Sequence, residues 1–353
     1  MPSRADSTAE FFRAIKGQFS AASNAAGIVD HAVKVGGQIF RLEFAGPALV
    51  DRIVPALSHH LITADPNGNS PDLTIRIWDA ASTGIGAPAM PWNHDQFASR
   101  REVSGTNGGG YRAAYDLYCG VLSIVSIKDN CAYWWIGDSE KLPLYESAAP
   151  LREILQAWFD HKGGIFVHAA AIGNEDGAVL LVGKGGSGKT TTAIACADTD
   201  LRLLGEDYCL VTGFGQPQAH AHSLYCSAKL TDHSLDLLPH LKPLVINDDR
   251  KDRDGKAIVM FGQHFPMLSH APVKAIVLPT RTDSDRMKLI AASPTDALMA
   301  LAPSTILQLS GQAQSALGHM KQLVEKIPAY RLELGKRPRD AAEHLRRLVT
   351  GRS

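Results

Sequence analysis

The sequence predicts an α/β domain that contains a phosphate-binding loop (P-loop), preceded by a smaller α+β domain. Two observations carry this prediction. Residues 183–190 match the pattern G-x-x-x-x-G-K-[ST] and lie between a short apolar run and a helical segment. Upstream, apolar and polar residues alternate over several short runs, as they do in half-buried strands. We place the first domain at residues 1–150 and the second at residues 151–353.

The alternating runs of the first domain favour antiparallel strands. They cover residues 38–44, 73–78 and 121–127. Residues 47–61 have the spacing of an amphipathic helix, and glycine, proline and asparagine punctuate residues 80–110, which is typical of a long loop. The opening segment carries a short amphipathic stretch from Phe11 to Phe19, and we expect that segment to be partly disordered.

The second domain is predicted to open with a helix over residues 151–159 that ends at a pair of glycines. Strands are expected at about residues 165–172, 178–182, 201–205, 208–212, 257–261 and 273–279, and helices near residues 294–301, 313–326 and 338–349. One further helix continues directly from the glycine-rich pattern. A buried strand, a glycine-rich turn and a helix, in this order, are the usual setting of a phosphate site.

The glycine-rich pattern predicts a site for a nucleotide triphosphate and Mg²⁺. Glycines let backbone N–H groups turn toward a β-phosphate, the Lys189 ammonium suits the β- and γ-oxygens, and the Thr190 hydroxyl suits Mg²⁺. The predicted nucleotide-binding residues are Gly183, Lys184, Gly185, Gly186, Ser187, Gly188, Lys189, Thr190 and Thr191. The alternative is an ordinary glycine-rich turn, which the flanking strand and helix make the weaker interpretation.

Two neighbouring acids, Glu206 and Asp207, end an apolar run that follows this loop. Phosphoryl transfer to a hydroxyl uses one acid near Mg²⁺ and another that takes the hydroxyl proton as the new bond forms. Adjacent residues at a strand end can serve both purposes. The alternative for this pair is a solvated acidic turn.

His168 lies inside an apolar run, where a lone histidine is usually a hydrogen-bonded core residue. Together, however, His168, the loop and Leu204-Gly205-Glu206-Asp207 resemble the catalytic domain of HPr kinase/phosphorylase, a fold shared with ATP-dependent phosphoenolpyruvate carboxykinases. In that family a histidine precedes the loop by one strand and hairpin, and two consecutive acids follow it. The resemblance covers residues 164–212 well and the rest of the chain to its end more loosely.

The resemblance implies a role for each of these side chains. His168 becomes an active-site residue, Lys189 binds phosphate, and Asp207 accepts the proton of the substrate serine. Thr190 and Glu206 become the Mg²⁺ ligands. Relatives in this family assemble as hexamers, so the resemblance also implies a homo-oligomer.

Three features depart from the family pattern. Glu206 stands where an aspartate is usual, which lengthens the side chain by one methylene. The glutamate-bearing segment with its RG-G signature is not visible, so no second metal-binding carboxylate is assigned. Residues 1–150 do not resemble the family's N-terminal domain.

Residues 222–230 and 254–257 resemble divergent HPr-kinase-related proteins encoded beside peptide-modification genes, including kinases of lasso-peptide precursors. Lys229 and Lys256 are the cations in these segments that suit a γ-phosphate or an acidic part of the substrate. The alternative is that both are surface lysines. Residues 247–254 look in part like a calcium loop but lack its glutamate, so we expect a solvated loop there, acting as an active-site flap.

Composition excludes several classes of protein. Lysine plus arginine and aspartate plus glutamate balance at 36 each, so no overall positive charge favours nucleic acid or an anionic membrane as the partner. The five cysteines are odd in number and lack C-x-x-C spacing, which argues against a disulfide framework and a zinc site. With no signal sequence and no apolar stretch of membrane length, we expect a cytoplasmic protein.

We therefore expect an ATP-dependent serine kinase that uses Mg²⁺ and acts on a peptide or protein, with a ribosomally made precursor peptide as one acceptor class. One alternative is a nucleotide-gated binding protein, which needs no base. Another is a kinase of a small-molecule hydroxyl; carboxykinase chemistry would need further cationic residues. In the first domain, Trp78, Trp92, Trp134 and Trp135 are candidates for peptide recognition, or else they form its core.

Overall fold

The computed structural model describes residues 4–63, 70–97, 101–106, 110–197, 199–247, 255–262, 265, 267–282, 284, 286–308 and 313–351. The chain forms two compact units, Met1–Lys162 and Gly163–Ser353. The division therefore falls about a dozen residues after the expected boundary at residue 150. No helix in the described part of the chain combines the length and the apolar character needed to cross a bilayer.

The first unit is a seven-stranded sheet with helices on it. Its helices are α1 (Arg4–Ala26), α2 (Val50–Ile53), α3 (Ala80–Thr83), α4 (Leu144–Ala148) and α5 (Arg152–His161), with 3-10 turns at Val54–His60, His94–Gln96 and Ser139–Lys141. Its strands are β1 (Ile28–Val35), β2 (Gln38–Ala45), β3 (Leu61–Ile62), β4 (Leu73–Asp79), β5 (Tyr111–Tyr115), β6 (Leu122–Ser126) and β7 (Cys131–Ile136). They lie in the order β3-β1-β2-β4-β7-β6-β5.

This sheet is mixed, whereas the sequence suggested antiparallel strands. β2, β4 and β7 run parallel to one another, and the other neighbours run antiparallel. The connections from β2 to β4 and from β4 to β7 are long enough to return the chain to the same end of the sheet, which parallel pairing requires. The alternation of apolar and polar residues identified the strands, but it carries no information about whether neighbouring strands run parallel or antiparallel.

The opening segment forms α1 instead of the partly disordered stretch expected for it. Its large apolar side chains recur at helical spacing and are buried: Phe11, Phe12, Ile15 and Phe19. The Phe19 ring lies 5.8 Å from that of Trp78 on the sheet. An apolar helix face stays ordered when a sheet covers it, since most helix stability in proteins comes from such packing.

Two other expectations for this unit are corrected. Residues 47–61 form the short helix α2 and then a 3-10 segment, because Pro55 lacks the N–H that an α-helix would use. The helix α5, expected to open the second domain, belongs to the first unit, where the Phe159 ring lies 5.7 Å from that of Phe40 on β2. Residues 80–110 are mostly loop in their described part, apart from α3 and a 3-10 turn.

The tryptophans of the first unit belong mainly to its core. Trp78, Trp92 and Trp134 are buried, and Trp135 is half-buried. They stabilise the fold as large apolar side chains. The structure therefore favours the core interpretation over an aromatic surface for peptide recognition.

The second unit has a larger mixed sheet. Its strands are β8 (Ile165–Val167), β9 (Ala170–Asn174), β10 (Gly177–Leu181), β11 (Arg202–Gly205), β12 (Cys209–Thr212), β13 (His220–His222), β14 (Ser227–Leu230), β15 (Ala257–Met260), β16 (His270–Arg281), β17 (Lys288–Ala292) and β18 (Ala329–Leu334). Its helices are α6 (Lys189–Cys196), α7 (Asp232–Leu237), α8 (Pro294–Gln308), α9 (Ala313–Lys326) and α10 (Ala341–Thr350), with 3-10 turns at Pro239–Leu244 and Pro338–Asp340.

Nine of these strands form one sheet, and β14 and β15 pair separately. β10, β16 and β18 run parallel, so their carboxyl ends meet at one edge. Alternate residues of β10 enter two cores: Val179 and Leu181 pack with α6 and α10, while Leu180 packs with α8 and α9. Helices on both faces of the sheet bury β10 completely, which explains its continuous apolar sequence.

The expected elements of the second unit are present with three differences. The run at residues 165–172 is broken into β8 and β9, so His168 lies in a bend between strands rather than inside one. The strands β13, β14, β17 and β18 and the helix α7 were not predicted. The expected flap over residues 247–254 lies outside the described residues except for Asn247, whose side chain accepts a hydrogen bond from the Ile258 backbone N–H.

Candidate functional site

The glycine-rich loop connects the carboxyl end of β10 to the first residue of α6. Gly183, Gly186 and Gly188 have backbone φ angles of 141°, 79° and 104°, which residues other than glycine rarely adopt. A Cβ on Gly188 would lie 2.5 Å from Leu334 Cδ1. The loop conformation therefore depends on glycine at its end, where the helix begins.

Lys189 is folded back onto its own loop. Its Nζ donates hydrogen bonds to the carbonyl oxygens of Gly183 at 2.7 Å and Lys184 at 3.4 Å. Burial lowers the pKa of the Lys189 ammonium, and the charges of Glu206 and Asp207 act in the opposite direction. An incoming anion could replace one of the two carbonyl oxygens as the partner of this ammonium.

His168 and Asp207 meet because β8 pairs with β12. Val167 lies opposite Cys209 in this antiparallel ladder, so the residues that follow β8 lie beside the residues that precede β12. His168 Nε2 is 2.9 Å from Asp207 Oδ1. The backbone N–H of His168 donates to Thr305 Oγ1 on α8 at 3.1 Å, which fixes the bend that carries the ring.

The hydrogen bond from His168 helps to keep Asp207 ionised. Burial by itself would raise the pKa of Asp207, but this hydrogen bond and the charges of Lys229, His168 and Lys256 outweigh it and hold the pKa well below its usual range. Asp207 Oδ2 lies 4.0 Å from Lys229 Nζ. One oxygen of Asp207 is therefore occupied by His168, and the other faces a cation.

Glu206 joins the loop to the separate pair of strands β14 and β15. One carboxylate oxygen accepts a hydrogen bond from the Thr190 hydroxyl, and the other accepts one from the Lys229 backbone N–H at 3.2 Å. Burial and the neighbouring charge of Asp207 raise the pKa of Glu206 to about 7. The two adjacent acids thus have opposite pKa shifts, which is a feature of many functional sites.

These groups line one cavity of about 410 Å³, which we call the loop cavity. All nine predicted nucleotide-binding residues except Gly183 and Lys184 line it, and so do His168, Glu206, Asp207, Lys229 and Lys256. Gly183 and Lys184 contribute the carbonyl groups that hold Lys189. The structure therefore brings the candidate residues from five separate segments to one place.

The residues around Thr190 fit Mg²⁺ and phosphate. The Thr190 hydroxyl and the Glu206 carboxylate are hard oxygen donors, the kind that Mg²⁺ prefers. The buried Ser187 Oγ, on the loop, has no hydrogen-bond partner among the described residues, so it is available to a ligand. Within the same described ranges, no group of three or more histidine, cysteine, aspartate or glutamate side chains is arranged to hold a metal, so a Mg²⁺ ion here would need ligands from a nucleotide and water.

Sequence reasoning did not identify Arg281, which also lines the loop cavity. Arg281 is the last residue of β16, the parallel neighbour of β10. The carboxyl ends of parallel strands lie at the same edge of a sheet. An arginine just after the predicted strand at residues 273–279 could therefore have been predicted to lie near the glycine-rich loop. Ser234 was missed as well; its Oγ lies 2.9 Å from Thr191 Oγ1.

No protein-family model matches the chain, and no curated protein matches it at a significant level. The arrangement of the residues themselves is therefore the basis for a functional proposal. That arrangement combines a glycine-rich loop, a buried lysine, a hydroxyl–carboxylate pair and a histidine–aspartate pair in one cavity.

Proposed function

We propose that this protein is an ATP-dependent kinase that transfers the γ-phosphoryl group to the serine hydroxyl of a peptide or protein. The observation that carries the proposal is the shared cavity: Asp207, held by His168, faces the same space as Lys189 and Thr190. A protein that only binds a nucleotide needs no base for a hydroxyl proton, whereas transfer to a serine uses one. The sequence resemblance to HPr-kinase-related proteins supports the same conclusion.

Asp207 would act as the acceptor of the hydroxyl proton. The serine oxygen forms a bond to the γ-phosphorus, the bond from that phosphorus to the β–γ bridging oxygen breaks, and the serine proton passes to the carboxylate. With Oδ1 engaged by His168 Nε2, the proton goes to Oδ2. A low pKa is compatible with this role because phosphoryl transfer has a loose transition state that needs little basicity.

The other residues would neutralise negative charge on the polyphosphate. Lys189 and the loop N–H groups would bind its oxygens, and Thr190 and Glu206 would hold Mg²⁺. Mg²⁺, when bound, offsets the charge of the β- and γ-phosphates. Lys229 lies beside Asp207 at the cavity wall, where it suits the transferring group.

The proposed acceptor class is a serine in a peptide or protein, with a ribosomally made precursor peptide of the lasso type as its specific form. This part rests on the resemblance of residues 222–230 and 254–257. We place the activity in the cytoplasm, where ATP is supplied and where the five free thiols of the chain would remain reduced.

The proposal is tested with γ-labelled ATP, Mg²⁺ and two kinds of acceptor, HPr and precursor peptides encoded beside the gene. We expect label on a serine, identified by mass spectrometry. Asp207→Asn should lower the transfer rate by about 100-fold or more while the ATP dissociation constant stays within about twofold. Asp176→Asn, in an exposed turn of the same unit, is the matched control and should keep the full rate.

Three other results would overturn the proposal in different ways. Transfer that is unchanged in Asp207→Asn would remove Asp207 from the role of base. Tight ATP binding without transfer to any peptide or protein would favour a nucleotide-gated binding protein. Label appearing only on a small-molecule hydroxyl would keep the kinase chemistry and replace the acceptor.

A further inference from the structure

A second cavity, of about 250 Å³, adjoins the loop cavity, and we call it the flanking cavity. Gly188, Thr191 and Arg281 line both cavities. The flanking cavity lies at the carboxyl ends of the parallel strands β16 and β18, where Arg281 pairs with Leu334. Ligands of α/β sheets bind outside the carboxyl ends of parallel strands, so this is a place where a ligand held by the loop would extend.

The walls of the flanking cavity have the chemistry of a site for a planar heterocycle. Leu237, Leu334 and Pro338 supply apolar surface, and His233 also lines the cavity. Threonine hydroxyl groups and the ammonium group of Lys336 also line the cavity. These groups can contact polar ring atoms or a sugar. No aspartate or glutamate is among the described residues that line it, which suits a ligand with an anionic end.

Two further observations point to a ligand at this wall. Thr192 lines the flanking cavity, is fully buried, and its Oγ1 has no hydrogen-bond partner within the described ranges. The guanidinium group of Arg281, where the two cavities meet, makes no hydrogen bond or ion pair with a described residue. Both groups have unused hydrogen-bonding capacity beside an open space.

The wall formed by α7 is held firmly against the loop helix. Thr191 Oγ1 lies 2.9 Å from Ser234 Oγ, and Ser234 Oγ lies 3.0 Å from Thr231 Oγ1 at the start of α7. Across the cavity, the Thr282 hydroxyl donates to the Leu334 carbonyl at 3.1 Å and ties β16 to β18. The cavity is therefore bounded by elements that are fixed relative to the loop, as a specific subsite requires.

We propose that the flanking cavity is the nucleoside subsite: it holds the base and ribose of a nucleotide whose phosphates lie on the loop, with Arg281 beside the phosphates at the junction. This inference rests on the proposed nucleotide binding and adds the location of the base. The base lies between Leu237 and Leu334, and Lys336 is placed at its polar edge. The acceptor peptide approaches from the loop cavity, where Asp207 lies.

The test compares two probes in isothermal titration calorimetry with Mg²⁺ present. Inorganic tripolyphosphate reports the phosphate site alone, and ATP reports both sites. Wild type should bind ATP at least 10-fold more tightly than tripolyphosphate. Leu237→Trp fills the flanking cavity from a residue that is 38% exposed, and it should weaken ATP at least 10-fold while tripolyphosphate changes less than twofold.

The matched control is Leu317→Trp, the same substitution at a leucine that is 43% exposed on α9 and does not line either cavity. It should leave both affinities unchanged. Mapping by photolabelling with 8-azido-ATP gives an independent readout, and we expect the label on peptides that contain residues 233–237 or 334–338.

Each contrary result has its own meaning. If ATP binds no tighter than tripolyphosphate, or if Leu237→Trp changes neither affinity, the nucleoside subsite is wrong and the nucleotide proposal stands. If wild type binds neither probe, both proposals fail. If Leu237→Trp weakens the acceptor peptide and spares ATP, the flanking cavity belongs to the acceptor and the inference is overturned.

Discussion

At the scale of single residues, the two carboxylates after β11 differ because their neighbours differ. Asp207 accepts a hydrogen bond from His168 and lies near Lys229, which favours its ionised form. Glu206 is buried beside Asp207, which favours its protonated form and raises its pKa to about 7. Adjacent acids of similar intrinsic acidity thus become chemically distinct through burial and hydrogen bonding.

His168 is expected to position Asp207 rather than to touch the reacting atoms. His168→Ala should lower kcat roughly 10–100-fold, since the carboxylate loses the donor that orients it, and it should leave the ATP dissociation constant nearly unchanged. His168→Gln retains an amide donor and should recover part of the rate. Steady-state kinetics measures kcat for both variants, and calorimetry measures their ATP dissociation constants. If both variants lose kcat to the same extent and also lose ATP affinity, His168 has a purely structural role.

Asp160, on α5 of the first unit, predicts a pH-dependent stability. Burial outweighs the attraction of Arg112, 3.9 Å away, and raises the pKa of Asp160 to about 7. The folded state therefore holds the proton to higher pH than the unfolded state does. Asp160 therefore contributes most to the free energy of unfolding below about pH 4. As the pH rises to about 7, this contribution is lost, and the free energy of unfolding falls by roughly 2–4 kcal/mol.

Asp160→Asn should abolish that decline, because an amide does not ionise. Denaturant unfolding from pH 4 to pH 8, followed by tryptophan fluorescence, measures the free energy of unfolding of the first unit. The control is Asp51→Asn, an exposed aspartate of the same unit, which should keep the wild-type slope. A wild-type curve that rises over this range would contradict the expected sign.

At the scale of elements, strand β10, its loop and helix α6 were predictable because the signals are local. The strand is short and continuously apolar, three of the four loop glycines have positive φ, and the helix starts where the loop ends. The break of residues 165–172 at His168 was not predictable, because it follows from the pairing of β8 with β12 and β9 with β11. The sequence of that run is compatible with one continuous strand.

Gly188→Ala tests how strictly this element depends on glycine. The φ of 104° costs about 1–2 kcal/mol for a residue with a Cβ, and the contact with Leu334 adds to that cost. We expect lower stability of the second unit in far-UV circular dichroism and weaker ATP binding. Gly185→Ala is the matched control within the loop: its φ is not positive and its Cβ would meet nothing within 4 Å, so its stability should be unchanged. Equal destabilisation by the two substitutions would argue against this account.

At the scale of the whole molecule, all five tryptophans belong to the first unit. All of them lie in residues 1–162, at positions 78, 92, 134, 135 and 158. Intrinsic tryptophan fluorescence therefore reports the first unit alone, whereas calorimetry and circular dichroism report both. Each unit can be followed separately during unfolding.

If ATP binds only the second unit, Mg²⁺ and ATP should raise the unfolding temperature of that unit and leave the tryptophan-detected transition within about 1 °C. At 100 times the dissociation constant, the stabilisation is about 2.7 kcal/mol. Differential scanning calorimetry and tryptophan fluorescence on the same sample measure the two transitions. A tryptophan-detected transition that moves together with the calorimetric one would show that the units unfold as one.

The sequence alone determined the phosphate-binding pattern, the two acids at the end of the following strand and most strands and helices of the second unit. These features depend on residues that are close together in the chain, so pattern and spacing express them. Only the tertiary structure decided that His168 contacts Asp207, that Arg281 reaches the loop cavity, that α5 belongs to the first unit and that most tryptophans are buried. Those outcomes depend on strand pairing and packing between residues far apart in sequence, and local pattern carries no information about which distant segments become neighbours.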